Sequence, residues 1–468
     1  MQFKSLFKGR LQPRGLVGVA ILTATVTIFL GTLFAGAVSA QLSAAASAGE
    51  ATAYNRTSSA YEEAPPNLTE QGVIDHELGD EAFEEAFVLD PHAAQTGLGP
   101  LFNNASCVGC HIRNGRGMPE PGQLLLRVTD GVALGELNEA YLAALSEDEK
   151  LRNAPPVENL GNQIQDFSVA GESPEATVDI LWQEKAGAYV DGTPYRLRSP
   201  QIDVTLANGE PLPDTVKVSP RIPPHVYGLG LLEAIPEADI VALADPDDGN
   251  GDGVSGRPNW VWDVQQRSTA LGRFGLKANS PNLLQQSADA YLNDMGITNP
   301  LFPDDDGSME IDEETLVAAA AYAQTLAVPA RTLMDDPTVQ RGEKLFGEAS
   351  CTACHVSTFK TGSHKYPALE NQVIHPYTDL LLHDMGEGLA DDRPDYGATG
   401  SEWRTASLWG VGLAQTVLPY SGYLHDGRAR TFEEAILWHS GEAEASKQAF
   451  KSMPKGDREA MVRFLESL

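Results

Sequence analysis

Basic residues are scarce in this chain. Its 33 Lys and Arg stand against 65 Asp and Glu, for a net charge of −32. Four of those cations, Lys4, Lys8, Arg10 and Arg14, precede position 41, and removing them takes −32 to −36. Such a surface argues against nucleic-acid binding or an anionic membrane partner and favours solubility or a basic partner. Cysteine is scarcer still, with four in 468 residues. All four fall in two strings, Cys107-Val-Gly-Cys110-His111 and Cys351-Thr-Ala-Cys354-His355. No thiol is left over for a disulfide, a nucleophile or a redox pair. C-x-x-C-H is the attachment pattern of a c-type haem, in which both thiols bond the porphyrin and the histidine ligates iron. Zinc would need ligands from both distant pairs and would leave the adjoining histidines unexplained. A redox dithiol would open a helix in a βαβ context, which neither string has.

A long apolar run occurs near the N-terminus, from Leu16 to Val38, behind the basic residues and ahead of the small-residue site Val38-Ser39-Ala40. Residues 1–40 therefore read as a signal peptide, or as a retained anchor since the run is long enough to span a bilayer. Either way the rest lies outside the cytoplasm, in the periplasm, where c-type haems are attached. Residues 41–70 are Ala/Ser-rich, then Glu- and Pro-containing, without apolar periodicity, and read as a solvated linker.

Beyond the linker, helix signals surround each string. Pro337–Ala349 leads into Ser350-Cys351. The C-terminal segment from Asp457 puts apolar residues 461, 462, 464, 465 and 468 on one face. Asp312–Val328, acidic at its start and ended by Pro329, is the matching closing helix of the first half. Arg221–Leu231 echoes Arg404–Leu413, and Ser280–Tyr291 echoes Thr431–His439. The reading is a tandem duplication with an insertion at about 120–220 that holds a helical stretch (Leu134–Leu151) and strand-like runs (Tyr195–Arg198, Gln201–Leu206) before the turn Asn208-Gly209. The expected fold is mainly α: two tandem cytochrome c-like domains, 71–330 with a β-containing insertion and 331–468 without.

On these residues the chain resembles the di-haem oxidoreductase family, often labelled "thiol oxidoreductase", which is related to bacterial di-haem cytochrome c peroxidases. The motifs are Gly97-Leu-Gly-Pro-Leu-Phe-Asn103, Asn114-Gly-Arg-Gly117, Gly228-Leu-Gly-Leu-Leu-Glu-Ala234, His383-Asp-Met-Gly386 and Tyr423-Leu-His-Asp-Gly-Arg428. The resemblance implies two haems, with a peroxide-reactive one at the N-terminal string and an electron-transferring one at the other. It also implies a helix ligand after the His-Asp-Gly motif, where this chain has His439; Met385 is the other candidate. For the first haem the sixth ligand is open. His225 lies near the displaceable histidine of the peroxidases but out of register, and Tyr291 stands where His439 does in the second copy. Gln286 and Asp294 resemble the distal Gln and Glu, with spacing three residues short, and Glu233 is a further acid candidate. A distal carboxylate is wanted because peroxide must lose a proton at one oxygen and regain one at the other. The relay Trp of the peroxidases is replaced by Phe274, with Trp260 and Trp262 as substitutes. Asp248-Gly-Asn250-Gly-Asp252-Gly253 opens like a calcium loop, but Asn259 occupies the closing position.

The sequence thus points to an exported di-haem oxidoreductase, peroxidase-like, acting with hydrogen peroxide and with a redox partner protein or small-molecule electron donor. The alternatives are a non-catalytic di-haem electron carrier and a redox-sensing or iron-uptake accessory.

Overall fold

The computed structural model describes residues 45–89, 96–131 and 153–468. The leader to position 40 and the helix expected at Leu134–Leu151 lie outside the described residues. Among the described residues no helix is long and apolar enough to cross a membrane.

Six helices, five of them preceded by a capping side chain, frame the interior. They are α1 (Glu70–Glu84), α2 (Leu283–Met295), α3 (Glu313–Gln324), α4 (Pro337–Glu348), α5 (Phe432–Trp438) and α6 (Lys455–Ser467). Side chains of Thr69, Asn282, Asp312, Asp336 and Thr431 accept backbone N–H groups in the first turns of α1 to α5. Each cap satisfies an otherwise orphaned donor and contributes about 1 kcal/mol. Glu313 and Glu314 add favourable charge at the start of α3.

Two helix pairs repeat one contact. On α1, a Cβ at Gly79 would lie 2.5 Å from the Ala318 carbonyl and 2.8 Å from Tyr322 Cβ on α3. On α4, a Cβ at Gly342 would lie 2.0 Å from the Ala460 carbonyl and 2.8 Å from Phe464 Cβ on α6. Only glycine lets these backbones approach so closely. One turn after each glycine stands a phenylalanine, Phe83 or Phe346, whose ring meets Tyr322 (5.1 Å) or Phe464 (5.3 Å). The duplication expected from sequence therefore extends to α1, whose partner is α4.

The expectation of a mainly α chain of two tandem cytochrome c-like domains is overturned. Helices take up only 30% of the residues and strands 20%, in seven small sheets among the described residues. The helical periodicity around the haem strings is real, but the long segments between helices pair locally as short strands. β1 (Leu125–Asp130) lies between Gln163–Ile164 and β4 (Val216–Arg221) in a three-stranded antiparallel sheet. β2 (Ala176–Ala188) and β3 (Pro194–Leu206) form a long antiparallel hairpin. Its tip packs Tyr189 and Leu197 against Leu345, Leu437 and Met461 of α4, α5 and α6. Arg458 of α6 pairs with Asp191 at 3.0 Å and lies over the Tyr189 ring. The insertion of the first half is thus fastened to the helices of the second, and Ala46–Leu468 is a single compact unit.

The segment expected as a solvated linker also differs from Ser47 onward. Ala48, Ala51, Ala60 and Tyr61 are buried, and Thr52–Ala53 pairs in parallel with Val328–Pro329. Tyr61 stacks on Tyr227 at 4.0 Å and donates its hydroxyl to the Gly410 carbonyl. Isolated small and aromatic residues anchor this stretch, so it shows no periodicity.

Candidate functional site

Each C-x-x-C-H string closes one turn, which brings both thiols and the histidine to one side. In the first, Ser106 caps Cys107–Cys110 and the His111 N–H reaches the Cys107 carbonyl at 2.8 Å. In the second, the His355 N–H reaches the Cys351 carbonyl at 3.0 Å. None of the four cysteines is in a disulfide. Burial pushes the Cys107 and Cys351 thiols up to about 12, so as free thiols they would be poor nucleophiles.

Each turn faces a largely apolar cavity, about 210 Å³ at His111 and about 240 Å³ at His355. His111 Nδ1 hydrogen-bonds the Pro224 carbonyl at 2.7 Å, and His355 Nδ1 the Tyr377 carbonyl at 2.8 Å. A carbonyl can only accept, so Nδ1 carries the proton and Nε2 keeps its lone pair. Burial lowers both imidazoles to about 4, which keeps them neutral. Phe83 and Phe346 stand beside the two rings at 6.1 and 6.0 Å.

The cavities differ in the rest of their lining. His439, just past the end of α5, lines the second cavity, with its Nδ1 bonded to the Ala435 carbonyl at 2.7 Å. It is half-buried, and desolvation lowers its pKa, so a second neutral Nε2 serves this cavity. Met385 lines the same cavity. The caps Asn282 and Thr431 set the register between α2 and α5. Leu283, Gln286, Ser287 and Ala290 line the first cavity as Phe432, Ala435, Ile436 and His439 line the second. The position of His439 is therefore taken by Ala290, not Tyr291, which is one residue further on. Tyr291 does line the first cavity, with its buried hydroxyl unpartnered.

The other sequence candidates fall in different places. Asp294 lines the first cavity, and its Oδ1 accepts from Gln163 at 2.8 Å. Burial raises its pKa, against Arg127 and Gln163, which lower it. Gln286 lines the cavity with a buried, unpartnered Oε1. Glu233 does not line it: its oxygens accept from the Leu283 N–H, Gln324 and His364. Glu233 therefore holds the start of α2 rather than facing the cavity.

His225 lines both cavities, stacks on Tyr227 at 4.3 Å, and places Nε2 3.1 Å from the Ser407 hydroxyl. That contact occupies the nitrogen an iron would need. Phe274 lines the first cavity, whereas Trp260 and Trp262 line neither.

Sequence reasoning missed the arginines. Arg127 projects from β1 into the first cavity beside Asp294, on the same strand face as Leu125. Alternation from the apolar Leu126 and Val128 was the available signal. Arg116 and Arg404 line both cavities and bond only backbone carbonyls, with no ion pair among the described residues. Burial lowers both, Arg404 to about 10. Half-buried cations bonded by no carboxylate suit an anionic group supplied from outside the chain, such as a haem propionate. The neutral Nε2 atoms, paired thiols and apolar walls complete a donor set that fits a haem in each cavity.

The acidic loop fits calcium less well. Asp245, Asp248 and Asp252 accept backbone N–H groups of their own loop. Asn259 is buried and donates to the carbonyls of Lys277 and Asp395, so it is turned away from ligand duty.

A family model described as "Di-haem oxidoreductase, putative peroxidase" matches residues 41–316 and again residues 304–468. No curated protein matches the sequence. Among solved structures, a xenon-pressurised hydrazine synthase from Kuenenia stuttgartiensis is similar at 15% identity, over 53% of this chain and 73% of that one, with a TM-score of 0.31.

Proposed function

The chain belongs to the di-haem oxidoreductase family, and from that premise we propose that it is an exported, periplasmic peroxidase-like enzyme carrying two covalent c-type haems. Cys107 and Cys110 hold one porphyrin and Cys351 and Cys354 the other, with His111 and His355 as the proximal ligands. When bound, the haem irons would supply one-electron redox changes and, where no second side chain ligates them, reactivity toward peroxide. The protein's part is to make the two positions unequal. His439 closes the second site with an imidazole, which suits electron transfer. Ala290 leaves the first site without a helix ligand, and Asp294, Arg127 and Gln286 line the space. Asp294 holds or moves the proton, its pKa raised by burial against Arg127 and Gln163, which lower it. Arg127 places positive charge where a leaving oxygen becomes negative. Gln286 Oε1 accepts a hydrogen bond from a bound peroxide. The electron donor is a redox partner protein or small molecule, and the acidic surface favours a basic one.

The observation that carries this reading is the exchange of His439 for Ala290 at the same distance from matching N-caps, Thr431 and Asn282. Replacing His439 by Ala should turn only the C-terminal haem high-spin in the ferric EPR spectrum, with the other haem unaltered. An unchanged spectrum, or a change at the first haem, would remove His439 as the closing ligand.

A further inference from the structure

The two proximal histidines are joined by a nearly continuous chain of hydrogen bonds and backbone, and we propose that this chain is the electron path between the two haem sites. It begins at His111 Nδ1, bonded to the Pro224 carbonyl at 2.7 Å. One peptide bond further is His225, the only aromatic ring among the six residues that line both cavities (Arg116, His225, Leu276, Arg404, Ala406 and Ser407). His225 Nε2 meets the Ser407 hydroxyl at 3.1 Å. The next residue, Leu408, donates its N–H to the Pro376 carbonyl at 2.9 Å. The next carbonyl along, that of Tyr377, accepts from His355 Nδ1 at 2.8 Å.

Electronic coupling decays steeply across open contacts and more slowly through covalent and hydrogen bonds, so a chain with four hydrogen-bonded crossings is a favoured route. It starts and ends on the imidazoles that ligate iron in the proposed function, on which this inference rests. One electron crosses from the His355 site to the His111 site. In this crossing no bond forms or breaks and no proton moves; the electron comes from the external donor, and two such electrons with two protons are consumed when peroxide is cleaved to two waters. Tyr227, stacked on His225, and the Ser407 contact hold the imidazole in the wall. Trp260 and Trp262 line neither cavity, and no tryptophan is needed for the route.

The test uses the di-haem protein, half-reduced with carbon monoxide bound. After flash photolysis, absorbance reports electron redistribution between the haems. His225→Ala and Ser407→Ala should each slow it several-fold, and the double variant should be no slower than His225→Ala, because the two lie in series. EPR spectra and midpoint potentials of both haems should stay as in the wild type, and His225→Phe should recover none of the loss in hydrogen bonding. Wild-type rates in both single variants would overturn the path. So would a new spin state at the first haem in His225→Ala, which would make His225 a ligand. Failure of the enzyme reading is separate: it would show as two low-spin, peroxide-inert haems in the wild type, whatever the rate of redistribution.

Discussion

Ala290 and His439 stand eight residues past their caps, Asn282 and Thr431, and the proposed function turns on the difference between a methyl and an imidazole there. Ala290→His should therefore convert the first haem to low-spin and abolish its reaction with peroxide, read by EPR and by peroxide turnover; retained turnover would separate Ala290 from the open position. Asp294→Asn should lower peroxide turnover by about 10²-fold or more, as loss of a general acid–base does, and flatten the acid limb of the pH–rate profile. A third residue-level prediction concerns His383. Burial opposes its charge, but hydrogen bonds to Asp379, Cys354 and Glu442 outweigh that and push it up to about 12. Glu442 is raised by burial and lowered more by His383 and the N–H groups of Asp384 and Ser255, to about 2. A raised imidazole stabilises fully below its unfolded pKa, about 6.5, and the contribution fades as pH rises toward 12. A depressed carboxyl stabilises fully above its unfolded pKa, about 4.3, and fades as pH falls toward 2. Glu442→Gln should lower the melting temperature most between those unfolded values and least at the extremes; a pH-independent loss would contradict the pairing.

Among the elements, the helices next to the haem strings were legible because capping residues and apolar periodicity coincide. Asp312, Asp336 and Thr431 all cap where the sequence suggested a start. α1 was not recognised as the partner of α4, because the shared features are only a glycine and a phenylalanine one turn apart. Gly79 and Gly342 acquire meaning once α3 and α6 are packed on them. Gly342→Ala should destabilise the protein by about 1–3 kcal/mol, the usual range for overpacking, and shift the loss of both haem signals together to lower denaturant. Denaturant titration followed at each haem's absorbance checks this; an unchanged midpoint would argue against the close approach of α4 and α6 at Gly342.

At the scale of the whole molecule, the two C-x-x-C-H strings were plain in the sequence, and the architecture was not. The motif spacing is local, whereas the shared wall of Arg116, His225, Arg404 and Ser407 draws on segments hundreds of residues apart. The β2–β3 hairpin belongs to the first half by sequence and packs on the second through Tyr189, Asp191 and Arg458. Tyr61 likewise enters the core from a stretch whose composition suggested a linker. The protein should therefore unfold in one transition, with both haem signals lost together in a thermal scan; two separated transitions would favour independent domains. The central claim, that one site is open and reactive while the other is closed, is tested most directly by the EPR spectrum of the ferric protein before and after hydrogen peroxide. The account predicts one high-spin signal, at the N-terminal haem, that disappears on adding peroxide, beside a low-spin signal from the His355–His439 haem. Two low-spin haems unaffected by peroxide would contradict it.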